Sequence, residues 1–357
     1  MPALLVVPIL GGLSDYVGRK AILAIPIITG IVDVATLVVV EKYQGQIWMI
    51  ALMKLITGFF GSWGVIVVSA YAMITDISDS LNRTSRFVHL EGTVLLGFVL
   101  GPIMGGTLSK FLESGIMGVF QICLILNIVS LALMTLLEES LDAEIREKRN
   151  QASLSFISIA KSSLGSAFSI FTRKQDLSQI PLLIVSFSLG LTMGAHSTFF
   201  LWSAFVFGWN SYNQGIFKLV YATSRLLYMF IVFPLIKRFF NGAIGFDLGV
   251  LRLSVFIISL ATLLTGLSTQ GWMVLALALL DGIGGLASST TKGLLSHSSP
   301  SDMQGTLFSG IQVIQQLGYI TSAVMFPNIW AATVGTRLTS LFLYIQAGVS
   351  SSFGVHG

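Results

Sequence analysis

Charge is scarce in this sequence. Lys, Arg, Asp and Glu make up 10% of the 357 residues, 20 basic and 16 acidic. A soluble chain carries about 25%. With 54% apolar residues and a mean hydropathy of +0.85, two soluble domains of ordinary size are excluded, as is a disordered polyelectrolyte. Cysteine is scarcer still: Cys123 stands alone, which excludes an intrachain disulfide and a cysteine metal site. The histidines, His89, His196, His297 and His356, form no H-E-x-x-H, and no serine sits in a G-x-S-x-G elbow. No G-x-x-x-x-G-K-[ST] occurs, so ATP is not the direct driver of any activity. The net charge of +4 is no nucleic-acid signal, because most basic residues fall in short loops.

Long apolar runs are what the chain has. A spanning helix needs about 20 apolar residues to cross about 30 Å of hydrocarbon. Runs of that order lie at 1–13, 21–40, 47–74, 88–108, 116–137, 179–207, 215–236, 248–268, 272–295, 305–327 and 338–349. Their pattern is helical, not alternating, so a β-barrel is excluded. The first and last runs are short. The first is too abrupt for a signal peptide and reads as the second half of a helix whose beginning is missing. The expectation is an all-α polytopic membrane protein with about 11 spans.

Basic residues orient those spans. One set of connections holds Arg19, Lys20, Arg83, Arg86, six residues between Arg146 and Lys174, Lys237, Arg238 and Lys292. The other holds only Lys42, Lys110 and Arg337. The first set is cytoplasmic, which places Met1 outside and rejects Asn82-Arg83-Thr84 as a glycosylation sequon. The polar stretch from Glu138 to Gln179 divides the chain. It reads as a solvated cytoplasmic linker, 138–178, between an N-terminal bundle, 1–137, and a C-terminal bundle, 179–357. A shift of 221 residues aligns Gly61 with Gly282, Gly64 with Gly285, Phe87 with Phe308 and Gly97 with Gly318. Parallel repeats of this kind are a recurrent transporter architecture.

The loop between the first two spans carries the most specific motif. In Gly11-Gly12-Leu13-Ser14-Asp15-Tyr16-Val17-Gly18-Arg19-Lys20, the glycines permit close approach and a positive φ. Asp15 suits a neighbouring helix N-terminus. This G-x-x-x-D-x-x-G-R-K spacing resembles the signature loop of the major facilitator superfamily, with Tyr16 where many members have a basic residue. The resemblance implies a major facilitator fold of two six-helix bundles, here with the first family helix absent and the second and last short. It implies that Asp15 latches the halves on the cytoplasmic side. Lys54-Leu55-Ile56-Thr57-Gly58 resembles the family's Arg-x-x-x-Gly, with lysine in the arginine position. Lys54 either faces a cavity or snorkels outward. Gly92, Gly97, Gly101-Pro102 and Gly105-Gly106 would give a smooth helix-packing face with a proline kink. They resemble the glycine-rich motif of proton-driven exporters.

A narrower resemblance, from about Leu4 to Gly335, is to the proton-coupled folate transporter group, as a fungal-type or other eukaryotic relative. It rests on Arg83-Thr84-Ser85-Arg86-Phe87-Val88-His89-Leu90-Glu91, on Gln304-Gly305-Thr306-Leu307-Phe308-Ser309 and on Glu138-Glu139-Ser140. By it, Glu91 matches a proton-coupling carboxylate and Lys292 a basic residue on the pathway. The group's coupling histidine is not matched; Thr192 lies there, and His196, one turn on, reads as a satisfied interior residue. On its own chemistry, Glu91 is either a desolvated proton carrier or a partner of Arg83 or Arg86.

Asp33, Lys218, Arg225 and Asp281 are the other charges inside spans, each a pathway or pairing candidate. Asp281 is expected to pair with Arg225 or Lys54, while Arg252 and Asp247 read as interfacial. The leading functional expectation is a non-enzymatic secondary transporter, monomeric and without cofactor. It would move a small organic solute with protons by alternating access, in the plasma or vacuolar membrane. Asp33, Lys54, Arg225, Asp281 and Lys292 are its pathway candidates, and their basic members favour an anionic or zwitterionic solute. The alternative is a non-transporting receptor or regulatory protein, or a truncated inactive fragment.

Overall fold

The computed structural model describes residues 2–43, 46–142, 180–240, 244–297 and 303–354. Most of the expected linker, with Glu144, Arg146, Glu147, Lys148 and Arg149, lies outside them. Among the described residues all regular structure is helical. The first group is α1 (Pro2–Val17), α2 (Arg19–Lys42), α3 (Trp48–Phe59), α4 (Ser62–Asp76), α5 (Ser80–Phe111) and α6 (Ile116–Leu136). The second is α7 (Ile180–Phe207), α8 (Ser211–Leu227), α9 (Phe233–Phe239), α10 (Ile244–Leu267), α11 (Gly271–Asp281), α12 (Leu286–His297), α13 (Gln304–Thr333) and α14 (Leu341–Gly354). A π-helical turn, Tyr228–Val232, joins α8 to α9, and a 3₁₀ turn, Ile283–Gly285, precedes α12.

Among the described residues, seven helices are long and apolar enough to cross a membrane, eight if the pair bent by 43° at Asp281–Ile283 is one span. The sequence led to about eleven. Pro2–Val17 and Leu341–Ser351 are too short for a full crossing, and Gln304–Thr333 carries Gln304, Gln312, Gln315 and Gln316. The chain is a multi-pass integral membrane protein.

The internal repeat has a structural counterpart. A shift of 221 residues carries 62–76 onto 283–297, the second limbs of two broken spans. Gly61 breaks the first with a φ of 78°; Gly282 ends α11 at the second break. Phe87 and Phe308 are both buried.

Contacts gather the chain into two units whose boundaries differ from the linker division. α5 passes from the second unit into the first at Val99–Leu100, and α13 from the first into the second at Val313–Ile314. The first unit holds α1–α4, α6 and those parts of α5 and α13; the second holds α7–α12, α14 and the remainder. The polar contacts below explain why. The start of α13 binds α1, and the start of α5 binds α12. In the second unit Phe199, Trp202, Trp209, Phe217, Phe326 and Phe342 form a buried aromatic core.

Candidate functional site

In the first unit the signature loop is a closed polar cluster. Gly18, with a φ of 119°, separates α1 from α2, a conformation that favours glycine. Asp15, at the end of α1, is fully buried. Its carboxylate accepts from the backbone N–H groups of Gly305 and Thr306, both at 3.0 Å, and from Thr306 Oγ1 at 2.8 Å. It therefore sits as an anion on the N-terminus of α13, where unpaired donors and the helix dipole favour negative charge. Arg19 pairs with Asp15 and, through Nε, with Asp76 at 3.1 Å. Its Nη1 donates to Ser14 at 2.8 Å.

The second half of the cluster joins α2 to the end of α6. Glu139 accepts from the backbone N–H groups of Arg19 at 2.8 Å and Lys20 at 3.1 Å, capping α2 where Gly18 offers no side chain. Lys20 Nζ returns the favour, donating to the carbonyls of Thr135 and Leu137 at 2.8 and 2.6 Å. Ser140 donates to Asp76 at 3.0 Å. Close packing is required at Gly11, where a Cβ would lie 3.0 Å from the carbonyl oxygen of Gly305 and 2.6 Å from Ser309 Cβ. Sequence reasoning singled out Gly11, Asp15, Gly18, Arg19 and Lys20 but missed Asp76. The signal was an acid in the last turn of α4, where the helix dipole disfavours it unless paired.

In the second unit Glu91, two-fifths of the way along α5, faces α12. Lys292 Nζ lies 2.8 Å from Glu91 Oε1, Ser288 Oγ donates to it at 2.7 Å and Ser289 Oγ to Oε2 at 3.2 Å. One helical turn of α12 thus surrounds the carboxylate with an ammonium and two hydroxyls. Arg83 donates to the carbonyl and hydroxyl of Ser296 at 3.2 and 3.1 Å, and Thr84 packs on Gly293. Sequence reasoning named Glu91 and Lys292 separately; the serines were missed, although Ser288 and Lys292 share the i,i+4 spacing of one helix face.

The remaining charges pair locally. Lys54 Nζ lies 2.5 Å from Asp33 Oδ2, with the lysine side chain 57% exposed. Arg225 lies 2.8 Å from Asp281 and stacks its guanidinium over Tyr221. Of the two partners considered for Asp281, the structure brings Arg225. Lys218 is exposed, with its ammonium 4.5 Å from the ring centre of Phe200. Asp247, in the first turn of α10, is buried and paired with Lys237 at 3.1 Å. Arg252 is exposed. His196 Nδ1 bonds the Thr192 carbonyl at 3.0 Å.

The glycine face of α5 is placed unevenly. A Cβ at Gly92 would lie 2.8 Å from Phe230, whereas at Gly97, Gly101 and Gly106 it meets nothing within 4 Å. At Gly105 the nearest atom is Val119 Cγ1, at 3.8 Å. α5 runs unbroken through Pro102. The tight glycine crossing lies elsewhere: Gly190 and Gly194 of α7 meet Gln315, Tyr319 and Ser322 of α13, and Gly318 meets Phe187 and Leu191. The Gly190-x-x-x-Gly194 spacing signalled it.

This geometry has a counterpart in known proteins. The family model of the Major Facilitator Superfamily matches residues 1–323. The chain belongs to that superfamily. This facilitator is 25% identical over 352 residues to the class D tetracycline resistance protein of Salmonella ordonez, covering 95% of this chain and 82% of the relative. It is 25% identical over 354 residues to the lysosomal proton-coupled steroid conjugate and bile acid symporter SLC46A3 of Gallus gallus, covering 94% and 71%. The crystal structure of the human organic anion transporter MFSD10 superposes with a TM-score of 0.78 at 18% identity, covering 99% of this chain and 80% of that one. The facilitator belongs among membrane transporters, not enzymes.

Proposed function

We propose that this facilitator is a proton-coupled secondary transporter of a small organic solute, working by alternating access, with Glu91 as its proton-carrying group. The observation that carries the reading is the Glu91 cluster, which holds one carboxylate by an ammonium and two hydroxyls. Charge-assisted hydrogen bonds are roughly twice as strong as neutral ones. Protonating Glu91 removes the ion pair and turns one acceptor into a donor, so proton binding and the α5–α12 contact are coupled. In the same reading Gly11, Asp15, Gly18, Arg19 and Lys20 form the conformational switch, since Asp15 must leave α13 for the two to separate. Asp33 with Lys54, Arg225 with Asp281, and Lys292 are the pathway charges; of the glycine-rich face Gly92, Gly97, Gly101, Pro102, Gly105 and Gly106, Gly92 packs on Phe230 and the open positions Gly97, Gly101 and Gly106 are left for a helix that closes on them during the cycle.

The proposal extends to a monomer of two helix bundles, 1–137 and 179–357, crossing eleven times, related to the proton-coupled folate transporter group. The relatives' printed cargoes, a steroid conjugate, a bile acid and an organic anion, support an organic solute with negative charge. The test is uptake of an organic-anion panel into proteoliposomes with a pH-sensitive dye inside. Solute-driven proton flux is expected, with Glu91→Gln reducing it at least tenfold while solute exchange persists. Unchanged proton flux in Glu91→Gln removes Glu91 from the mechanism. Absence of solute movement with wild type favours the non-transporting alternative.

A further inference from the structure

Two ion pairs of the second unit share the broken helix pair α11–α12. Asp281 ends α11, Lys292 lies in α12, and Gly285 closes the 3₁₀ turn between them. Arg225 of α8 donates to Asp281 from Nη2 at 2.8 Å. Its stem crosses at Gly285, where a Cβ would lie 3.0 Å from Arg225 Cγ and 3.1 Å from Cδ. Gly285 follows Asp281 by four residues and precedes Ser288, a donor to Glu91, by three. The arginine stem is therefore midway along the break between Asp281 and the serine that holds Glu91, roughly 5–7 Å of helix from each. Phe230, in the π-helical turn after α8, packs on Gly92 beside Glu91, and the charge of Glu91 acts on Arg225.

Arg225 is under-committed where it stands. Its Nε is buried with no hydrogen-bond partner among the described residues, and it offers Asp281 one nitrogen where a guanidinium fork can offer two. Asp281 also lines a cavity of about 80 Å³, roomy enough for water and hence for proton access. Tyr221 of α8 and His196 of α7 face Asp281 as well, and Lys292 faces Glu91 from α12. The charges of Glu91, Asp281, Arg225 and Lys292 sum to zero. One added proton leaves one unmatched positive charge among the helices and two leave two, and charge there is costly.

We propose that Arg225 is a movable counter-ion shared by Asp281 and Glu91, which makes Asp281 a second proton site and lets the two carboxylates hold one proton between them. A proton joining Asp281 breaks its ion pair, and the freed guanidinium pairs with Glu91 beside Lys292. A proton on Glu91 leaves Arg225 on Asp281. The inference rests on the reading of Glu91 as proton carrier and deepens it, naming the second station and what keeps both from loading at once. The test is difference infrared spectroscopy of the full chain in nanodiscs as the pH is stepped, which reads protonated carboxyl groups. Loss of a band in Glu91→Gln assigns Glu91. Loss of another in the double variant Asp281→Asn with Arg225→Gln, which strands no charge, assigns Asp281.

Asp281→Asn, which stands for the protonated acid, should lower the titration midpoint of Glu91 by at least about 1 pH unit, a tenfold loss of proton affinity. An opposite charge brought within about 4–6 Å of a carboxylate has that effect or more. In the double variant the midpoint should return to that of the parent. If Asp281→Asn does not purify as a monodisperse species, the reciprocal measurement replaces it: the Asp281 midpoint in Glu91→Gln should fall by the same factor. A Glu91 that titrates in the parent yet ignores Asp281→Asn overturns the shared counter-ion alone, as does a shift that Arg225→Gln fails to reverse, or an Asp281 midpoint unmoved by Glu91→Gln. A Glu91 that does not titrate in the parent overturns the proton-carrier reading as well.

Discussion

Lys237 and Asp247 illustrate how a charge pair inside apolar helices reads at the residue scale. Their side chains are 7% and 2% exposed, with Nζ 3.1 and 3.3 Å from the two carboxylate oxygens. Removing one partner strands the other, which typically costs about 3–5 kcal/mol, whereas replacing both by apolar residues is often neutral or better. Lys237→Met should therefore lower stability by about 3–5 kcal/mol, and Lys237→Met with Asp247→Leu should recover most of it. Reversible unfolding in mixed SDS micelles measures both; a single variant as stable as the parent would show the pair to be solvated. Sequence reasoning counted Lys237 as a loop residue because its partner, Asp247, lies ten residues on, in the next helix. Asp15, by contrast, was legible, since the glycines, the arginine and the acid of its loop constrain one another. Asp76 and Glu139 were harder to see because they join that cluster from 57 and 120 residues away from Arg19.

Glycine sets the element scale, and its meaning depends on which face it occupies. Gly190 and Gly318 let α7 and α13 approach until backbone meets backbone: a Cβ on Gly190 would lie 3.0 Å from Gln315 Cα, and one on Gly318 would lie 3.0 Å from Leu191 N. Neither neighbour is the end of a flexible side chain, so nothing can swing aside. Gly190→Val or Gly318→Val should pry the helices apart and lower the apparent Tm of the purified protein by several degrees. Gly97→Ala, Gly101→Ala and Gly106→Ala meet open space and replace a poor helix former by the best, worth up to about 1 kcal/mol each. They should leave Tm unchanged or raise it; a fall comparable to that of Gly190→Val would mean that another helix covers this face. Both stripes look alike as sequence. The 221-residue repeat put Gly61 and Gly282 in register, but 47–74 and 272–295 read as single apolar runs, and no break was marked in either.

At the scale of the whole molecule the open quantity is how many helices cross. The sequence has eleven apolar runs, and among the described residues seven or eight helices have the length and composition to span; the difference lies in Pro2–Val17, Gln304–Thr333 and Leu341–Ser351. Length sets the first and last apart, and polar positions the other. The glutamines of α13 depress its hydropathy, yet Gln304 is fully buried, so protein rather than lipid surrounds it and the span need not be uniformly apolar. Because Cys123 is the lone cysteine, a Cys123→Ala background permits single-cysteine topology mapping. Eleven crossings, oriented by the basic residues, place Tyr43, Leu112, Gln270 and Thr336 outside and Tyr16, Ile77 and Phe240 inside. Cysteine at the outer four should react with a membrane-impermeant maleimide in intact cells, and at the inner three only after permeabilisation. Thr336 is decisive, since it follows α13: labelling from outside, with cysteine at His297 reactive only after permeabilisation, makes α13 a full crossing. Labelling at Thr336 only after permeabilisation, with Gln270 still reactive from outside, would leave α11 and α12 as one crossing and α13 as none, and reduce the count.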